Sequence, residues 1–352
     1  MKNELILLIG CVAACFQASA SSNVVIYGIT DASVTYVSNK QGASSTELTS
    51  GILNTSRIGF RGKEDLGGGL AINFNLEAGI NIDTGGVGSA TAFWNRQSWM
   101  GLSSISMGDL RLGFQRPAFY DIFGPMSHTP FFGSPSARID GAGIAGSSLA
   151  RFNNTIGTTR YANSIKYNSP DMLGFKFQAF TALGEVPSSF NAGLTWNLGI
   201  SYKKKQFTAG ISYLQTKCKG ANGCLPSQAD DEVAGIGLGY VFNSIRLNAI
   251  YTNQKNSKNV RGNDADTFSL SALLKTDAWD LAAGYQTLND KTVLNQDVQQ
   301  INLSAVRNLS KRTAIYSIIV HQRVKNNGIA GITFLSANDA QNQISIGLRH
   351  RF

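Results

Sequence analysis

The sequence QISIGLRHRF at residues 343–352 alternates strictly between two kinds of position. Its even-numbered positions carry Ile, Ile, Leu, His and Phe, and its odd-numbered positions carry Gln, Ser, Gly and two arginines. Because successive side chains of a strand point to opposite faces, a strand here has one largely apolar face and one charged face. Two arginines on one face do not suit a soluble core. The pattern favours a wall with lipid on one side and water on the other.

The same alternation recurs along the chain, for example at residues 55–63 and 195–202. The composition agrees with it: charged residues make up 15% of the 352 residues, against about 25% in an average soluble protein. After residue 20 no run approaches the ~18 apolar residues that a membrane-spanning helix needs. These features predict alternating strands with one face in lipid.

The connections between the alternating segments fall into two classes of length. Seven tight turns lie near residues 64–68, 105–108, 169–171, 203–205, 242–244, 276–278 and 308–311. Eight longer stretches lie near residues 38–52, 83–92, 118–158, 182–191, 217–230, 253–263, 290–296 and 324–341. Fifteen connections predict an all-β fold, a sixteen-stranded antiparallel transmembrane β-barrel with its long loops facing out of the cell. Closure is required because an open strand edge in hydrocarbon leaves backbone groups unpaired.

The first twenty residues have the composition of a secretory signal peptide. Lys2 precedes an apolar stretch, and Ala18-Ser19-Ala20 provides a small-residue cleavage pattern, which places the mature barrel at residues 21–352. In an alternative interpretation Cys15 is the acylated first residue of a lipoprotein.

Two cysteines remain after the signal segment. Cys218 and Cys224 flank a flexible five-residue loop in a chain expected to reach an oxidising compartment, so we predict a local disulfide. Metal binding would need more ligands than this segment offers, and the three histidines are dispersed. We therefore expect neither a metal site nor another cofactor.

Six parts of the sequence carry a resemblance to known proteins: VIYG at residues 25–28, SRIGFRGKEDLGGG at 56–69, GL at 101–102, LRLG at 110–113, YD at 120–121, and Phe352. Together they resemble the general trimeric porins of Gram-negative bacteria, and especially those of β-proteobacteria. The resemblance implies an outer-membrane homotrimer surrounded by lipopolysaccharide and lipid, with water-filled pores for passive diffusion of small hydrophilic solutes. It also implies that residues 118–158 fold inward as a constriction loop, and that Phe352 signals to the outer-membrane assembly machinery.

The resemblance also points to the residues of the pore. The family's ladder of wall arginines matches Arg57, Arg96 and Arg160, and alternation places Arg61 on the same face as Arg57. Each could instead be a lumen arginine remote from the narrowest point. The family's two loop acids are not matched, since Ser127 and Phe131 stand in their places. Four further loop residues are charged: Asp121, Arg138, Asp140 and Arg151.

A basic ladder with few acidic partners predicts a positive pore potential. Rings of arginine and lysine favour anions, and the net charge of +9 acts in the same direction. The expected function is thus an anion-preferring porin, although nothing in the sequence indicates which anion. We predict constriction residues Arg57, Arg61, Arg96, Arg160, Asp121, Arg138 and Asp140.

Two other classes of function remain to be weighed. An outer-membrane barrel enzyme would need a nucleophile with a base, or paired carboxylates, and no such motif is found, so no catalytic residue is predicted. An adhesin or receptor would need a larger loop surface than most of these short loops provide. Acidic clusters at residues 230–232 and 264–266 could bind divalent ions that bridge to lipopolysaccharide, or be solvated loop ends. The lysine run at residues 203–205 is expected to be a solvated corner, with no nucleic-acid partner.

Overall fold

A computed structural model of the chain describes residues 22–126, 146–156, 159–220 and 222–352. In these residues seventeen strands form one sheet. The first eight are β1 (Ser22–Lys40), β2 (Ala43–Ser50), β3 (Arg57–Gly67), β4 (Leu70–Gly79), β5 (Gln97–Ser104), β6 (Gly108–Gln115), β7 (Tyr161–Asn168) and β8 (Phe175–Ala182). The next five are β9 (Thr195–Lys204), β10 (Phe207–Thr216), β11 (Asp231–Phe242), β12 (Ile245–Lys255) and β13 (Ala265–Lys275). The last four are β14 (Trp279–Asp290), β15 (Val298–Asn308), β16 (Thr313–Val324) and β17 (Ala340–Arg351).

The sheet closes into a barrel through its first and last strands. Ile29 to Val37 of β1 pair antiparallel with Arg351 to Gln343 of β17. The backbones of Gly28 and Phe352 exchange two further hydrogen bonds, of 3.0 and 3.1 Å. A side chain at position 28 would not fit, because a Cβ there would lie 2.3 Å from Cζ of Phe352. Every strand between is paired on both sides except β2, which pairs with β1, and the ring of pairings is closed.

Seventeen strands occupy sixteen positions around the barrel, because β2 and β3 share one. β1 pairs with β3 along its first half and with β2 along its second half. Residues 51–56 interrupt this shared position. The predicted sixteen-stranded barrel is confirmed, but the predicted long first loop at residues 38–52 is wrong. The chain turns tightly at Gln41-Gly42, and most of that polar stretch is strand.

The seven predicted tight turns lie at one end of the barrel, here called the turn end, and the longer connections lie at the other, the loop end. Side chains alternate between the lumen and the outer surface. In β17, for instance, Ser345 is fully buried whereas Ile346 is 64% exposed. The wall therefore has the polar interior and apolar exterior that the alternation predicts.

Inward-folded segments cover much of the inner wall. A short helix, α1 (Ala118–Phe123), continues as a 3₁₀ turn (Gly124–Met126) and lies against β9, β10 and β11. Its apolar side chains pack on Leu214, Val233 and Ile250. No helix of the described residues is long and apolar enough to cross a membrane.

Two more inward segments lie over the inner faces of β13 to β16. A 3₁₀ turn (Ser148–Arg151), which ends the same long loop, brings Leu149 and Phe152 onto an apolar cluster there. Ile52 and Leu53, from the interruption between β2 and β3, pack into a second apolar cluster. The inner wall beneath them is unusually apolar for a water-filled barrel: Leu273, Ala282, Val306, Ala314, Ile318 and Val320.

The last long loop also turns into the barrel, where amide side chains of the wall hold it. The Gly331 amide donates to Oε1 of Gln322 at 2.7 Å, and the Ile332 amide donates to Oε1 of Gln341 at 2.8 Å. Both glutamines are almost fully buried. They satisfy backbone donors that the inward loop would otherwise bury unpaired.

Candidate pore constriction

One buried carboxylate, that of Glu77, organises the charged side of the lumen. Glu77 lies on the inner face of β4 and is 4% exposed. Its Oε1 lies 2.7 Å from Nε of Arg96 and 3.7 Å from Nη1 of Arg57. Its Oε2 lies 3.0 Å from the hydroxyl of Tyr27, which is also 2.8 Å from Oδ1 of Asn75. The Glu77 carboxylate therefore holds two guanidinium groups side by side.

The two arginines are positioned by interruptions of regular strand. Arg57 is the first residue of β3, directly after the break at residues 51–56, and its Nε donates to the Thr55 carbonyl at 2.8 Å. Arg96 lies just before β5, and its own amide donates to the Glu77 carbonyl at 3.1 Å. Each guanidinium is thus oriented by backbone as well as by the carboxylate.

Two more arginines complete a positive cluster. Arg116 lies between β6 and α1, with its guanidinium carbon 3.4 Å from the centroid of the Tyr120 ring. Burial, together with the nearby charges of Arg160, Arg96 and Arg57, lowers the pKa of Arg116 well below its usual range. We call Arg57, Arg96, Arg116 and Arg160 the arginine cluster. Glu77 contacts two members of this cluster, Arg57 and Arg96.

A second buried ion pair fixes α1 within the barrel. Lys166, on the inner face of β7, forms an ion pair with Asp121 of α1 and donates to the Arg116 carbonyl at 3.1 Å. Asn197 accepts a hydrogen bond of 2.7 Å from the Phe119 amide at the start of the helix. These contacts join the inward loop to the inner wall at β7 and β9.

Glycines in the wall make room for the helix. A Cβ at Gly199 would lie 2.3 Å from Cδ1 of Ile122, and one at Gly235 would lie 2.7 Å from Cε2 of Phe123. The helix therefore sits against the backbone of the wall, which it could not approach over larger side chains.

The structure brings Arg57 and Arg96 together on the Glu77 carboxylate, and Arg160 lies near Arg116. Arg61 also faces the lumen, nearer the turn end, with its guanidinium carbon 5.2 Å from the centroid of the Tyr27 ring. Asp121 does not oppose the arginines, since its carboxylate is engaged by Lys166. Arg138 and Asp140 lie outside the described residues.

Sequence reasoning missed four participants: Tyr27, Glu77, Arg116 and Lys166. The alternation of side chains along the strands could have assigned three of these residues to the lumen. Asn73, Asn75 and Glu77 alternate with Phe74 and Leu76, which assigns Glu77 to the lumen by the same rule that placed Arg57. Tyr27 and Lys166 follow the same rule in β1 and β7. Arg116 lies beyond the end of β6, so alternation says nothing about its direction.

A disulfide joins Cys218 to Cys224 within the fifth long loop. The Cys218 amide donates to Oδ1 of Asp230 at 3.1 Å, and Lys217 forms an ion pair with the same carboxylate at 2.7 Å. In the second acidic cluster, Asp266 pairs with Lys291 at 2.5 Å. Lysine side chains thus already neutralise a carboxylate in each of the two clusters.

Comparison with known proteins identifies the family. Residues 7–327 match the model of the Gram-negative porin family. The chain is a Gram-negative porin. A curated relative, the outer membrane porin protein 32 of Delftia acidovorans, is 30% identical over 374 aligned positions that cover the whole of both chains. The major outer membrane protein P.IB of Neisseria meningitidis serogroup B is 26% identical, again over the whole of both.

Solved structures of other porins share the fold of this porin. The anion-selective porin from Comamonas acidovorans superposes with a TM-score of 0.78 at 26% identity, covering 94% of this chain and all of that one. OmpF of Salmonella typhi, solved with daunomycin, superposes with a TM-score of 0.67 at 15% identity over 94% of this chain and 97% of its own. The porin is accordingly a multi-pass outer-membrane protein whose barrel forms a channel.

Proposed function

We propose that this porin conducts small hydrophilic solutes with a preference for anions. The arginine cluster carries the proposal, because Arg57 and Arg96 share the Glu77 carboxylate, and Arg116 and Arg160 add positive charge beside them in a lumen with low-dielectric walls. Positive side chains at a narrow point attract anions and repel cations. The name of the Comamonas acidovorans porin, which is anion-selective, is consistent with this preference.

The distribution of inward segments supports the same function. The described inward segments pack against the inner faces of β9 to β16, with apolar contacts. On the other side of the lumen, the inner wall of β3 carries Arg57, Arg61 and Lys63, of which Arg61 and Lys63 are exposed. Water and solutes would then pass along the basic wall, where the field of its charges is strongest.

Reversal potentials test the proposal directly. The porin is reconstituted into planar bilayers with a tenfold KCl gradient, and the sign of the zero-current potential gives the preferred ion. We expect the sign of a chloride-preferring pore, and Arg96→Gln should reduce the preference. Lys204→Gln removes the same charge at an exposed turn and serves as the control. A cation-preferring wild-type pore would refute the proposal.

We further propose that the assembled form is a homotrimer that contacts lipopolysaccharide and outer-membrane lipid. The resemblance of the first strands to those of general trimeric porins supports the trimer, and the Phe352 carboxyl end supports recognition by the assembly machinery. The long loops would face out of the cell. Three conductance steps per insertion, and a trimer band on unheated gels, are the expected results; single steps with a monomer band would contradict the trimer.

We also propose that the porin carries out no bond chemistry. The charged groups of the constriction pair with one another. Conductance without hydrolysis of ester or peptide substrates is the expected result.

A further inference from the structure

A groove runs along the inner wall between the arginine cluster and the turn end. Its volume is about 510 Å³, within the range of small-molecule sites. The pairing of β4 with β5 shows where the groove begins. Glu77, in the constriction, pairs with Gln97, and the next inward-facing pair toward the turn end is Asn75 with Trp99. The groove begins at this second pair. The side chains that matter here are Arg61, Lys63, Asn73, Asn75, Trp99 and Arg111.

Three positively charged side chains line the groove, and one of them is paired with a carboxylate. Arg111 pairs with Asp109, its Nε lying 2.7 Å from Oδ2. No carboxylate of the described residues lies within ion-pair distance of Arg61 or Lys63. Both side chains are exposed to the lumen, so they can turn toward a solute. The groove therefore keeps a net positive charge that an anion can neutralise.

Trp99 is an unusual residue for this position, because porin lumens are otherwise polar. Its indole N–H donates to Oε1 of Gln97 at 2.6 Å, and the Arg111 guanidinium carbon lies 4.5 Å from its ring centroid. The hydrogen bond and the stacked guanidinium together fix the orientation of the ring. A large, rigid apolar surface thus lies beside three cations.

We propose that this groove is a binding subsite for aromatic carboxylates on their way through the pore. Arginine binds a carboxylate through two parallel hydrogen bonds, and an aromatic ring packs on an indole in offset or edge-to-face geometry. An inorganic anion would use the cations alone and would gain nothing from Trp99. The proposal rests on the proposed anion preference and adds to it a class of solute.

Block of chloride current provides the test. Single channels in KCl receive sodium benzoate, sodium acetate or potassium phosphate, and the half-blocking concentration is measured for each. Benzoate should block saturably, at a concentration about fivefold below that of acetate, in keeping with the contribution of one aromatic pair. Trp99→Leu should abolish the difference between benzoate and acetate, and Trp99→Phe should restore part of it.

A matched control exists in the same chain. Trp279 also lies near an arginine, with the Arg307 guanidinium carbon 5.4 Å from its ring centroid, but it is 41% exposed on the outer surface. Trp279→Leu should leave all three half-blocking concentrations unchanged. The heat-dependent shift in gel mobility shows that each variant barrel is folded before its currents are compared.

The possible outcomes separate the two proposals. Equal block by benzoate and acetate, or block that Trp99→Leu does not weaken, would overturn the subsite. Reversal potentials from the same bilayers report the anion preference independently. An anion-preferring pore without selective benzoate block would refute the subsite alone, whereas selective block in a cation-preferring pore would refute the proposed function and retain the subsite.

Discussion

Glu77 is the residue that limits the positive charge of the pore. Its carboxylate contacts Arg96 and Arg57, and the charges of these two arginines also act on Arg116. This negative charge holds Arg57 and Arg96 side by side. It also weakens the field that they produce.

Glu77→Gln should therefore strengthen the anion preference. For an ion at a separation of ~6 Å in water, the removal of one unit charge corresponds to about a two- to threefold increase in the chloride-to-potassium permeability ratio at low salt. Reversal potentials measure this ratio. Glu64 lies on the outward face of β3. Glu64→Gln removes one negative charge there and should leave the ratio unchanged. A lower ratio for Glu77→Gln would show that Glu77 does not act as a counter-charge.

Gly28 is a second residue with a precise structural requirement. A side chain there would overlap the Phe352 ring and the Arg57 carbonyl, 2.3 and 2.7 Å from the added Cβ. Gly28→Val should therefore impair closure between β1 and β17, and more of the protein should migrate as unfolded monomer on unheated gels. At Gly86 the nearest atoms are at ordinary distances of 3.6 and 3.8 Å, so Gly86→Val should have no effect. An equal fraction of unfolded monomer for the two variants would contradict the close approach of Gly28 and Phe352.

Among the elements, the interruption between β2 and β3 depends on one buried carboxylate. Oδ2 of Asp31 accepts a hydrogen bond of 2.8 Å from the Asn54 amide, and Oδ1 accepts one of 2.7 Å from the Tyr316 hydroxyl. Nη1 of Arg349 donates to Oδ1 of Asn54 at 3.1 Å. These hydrogen bonds hold residues 51–56, which directly precede Arg57. The network therefore helps to position Arg57 in the constriction.

Tyr316→Phe should loosen that segment. Leaving one buried oxygen of Asp31 without its donor costs about 1–3 kcal/mol. We expect a lower temperature for the transition to the unfolded form on gels, and larger fluctuations of the open-channel current. Tyr285→Phe removes a hydroxyl from the outer surface, where Tyr285 is 39% exposed, and provides the control. An unchanged transition temperature for Tyr316→Phe would show that the network contributes little.

The elements also show how far sequence reasoning reaches. The positions of the tight turns and the faces of strands such as β17 follow from period-two alternation, which is a local property. β2 was mistaken for loop because its outward residues, Thr46, Leu48 and Ser50, are hardly more apolar than its inward ones. The direction of Arg116 depends on how the inward loop folds, and no local pattern encodes it.

Across the whole molecule, the charges act through water as well as by contact. The screening length is about 10 Å at 0.1 M salt and about 3 Å at 1 M. The chloride preference should therefore fall as KCl rises over that range at a constant concentration ratio. Reversal potentials at several mean concentrations provide the measurement. A preference independent of salt would contradict its origin in the charges of the pore wall.

The apolar inner wall under Ile52, Leu53 and Phe152 limits how this barrel can be re-engineered. Trimming the inward segments to widen the opening would expose Leu273, Val306, Ile318 and Val320 to the lumen. Hydrophobic constrictions in channels lose their water and stop conducting. A wider nanopore therefore needs polar side chains in place of that wall as well as shorter inward segments. Deletion of the inward segments alone would leave an apolar constriction that water does not wet.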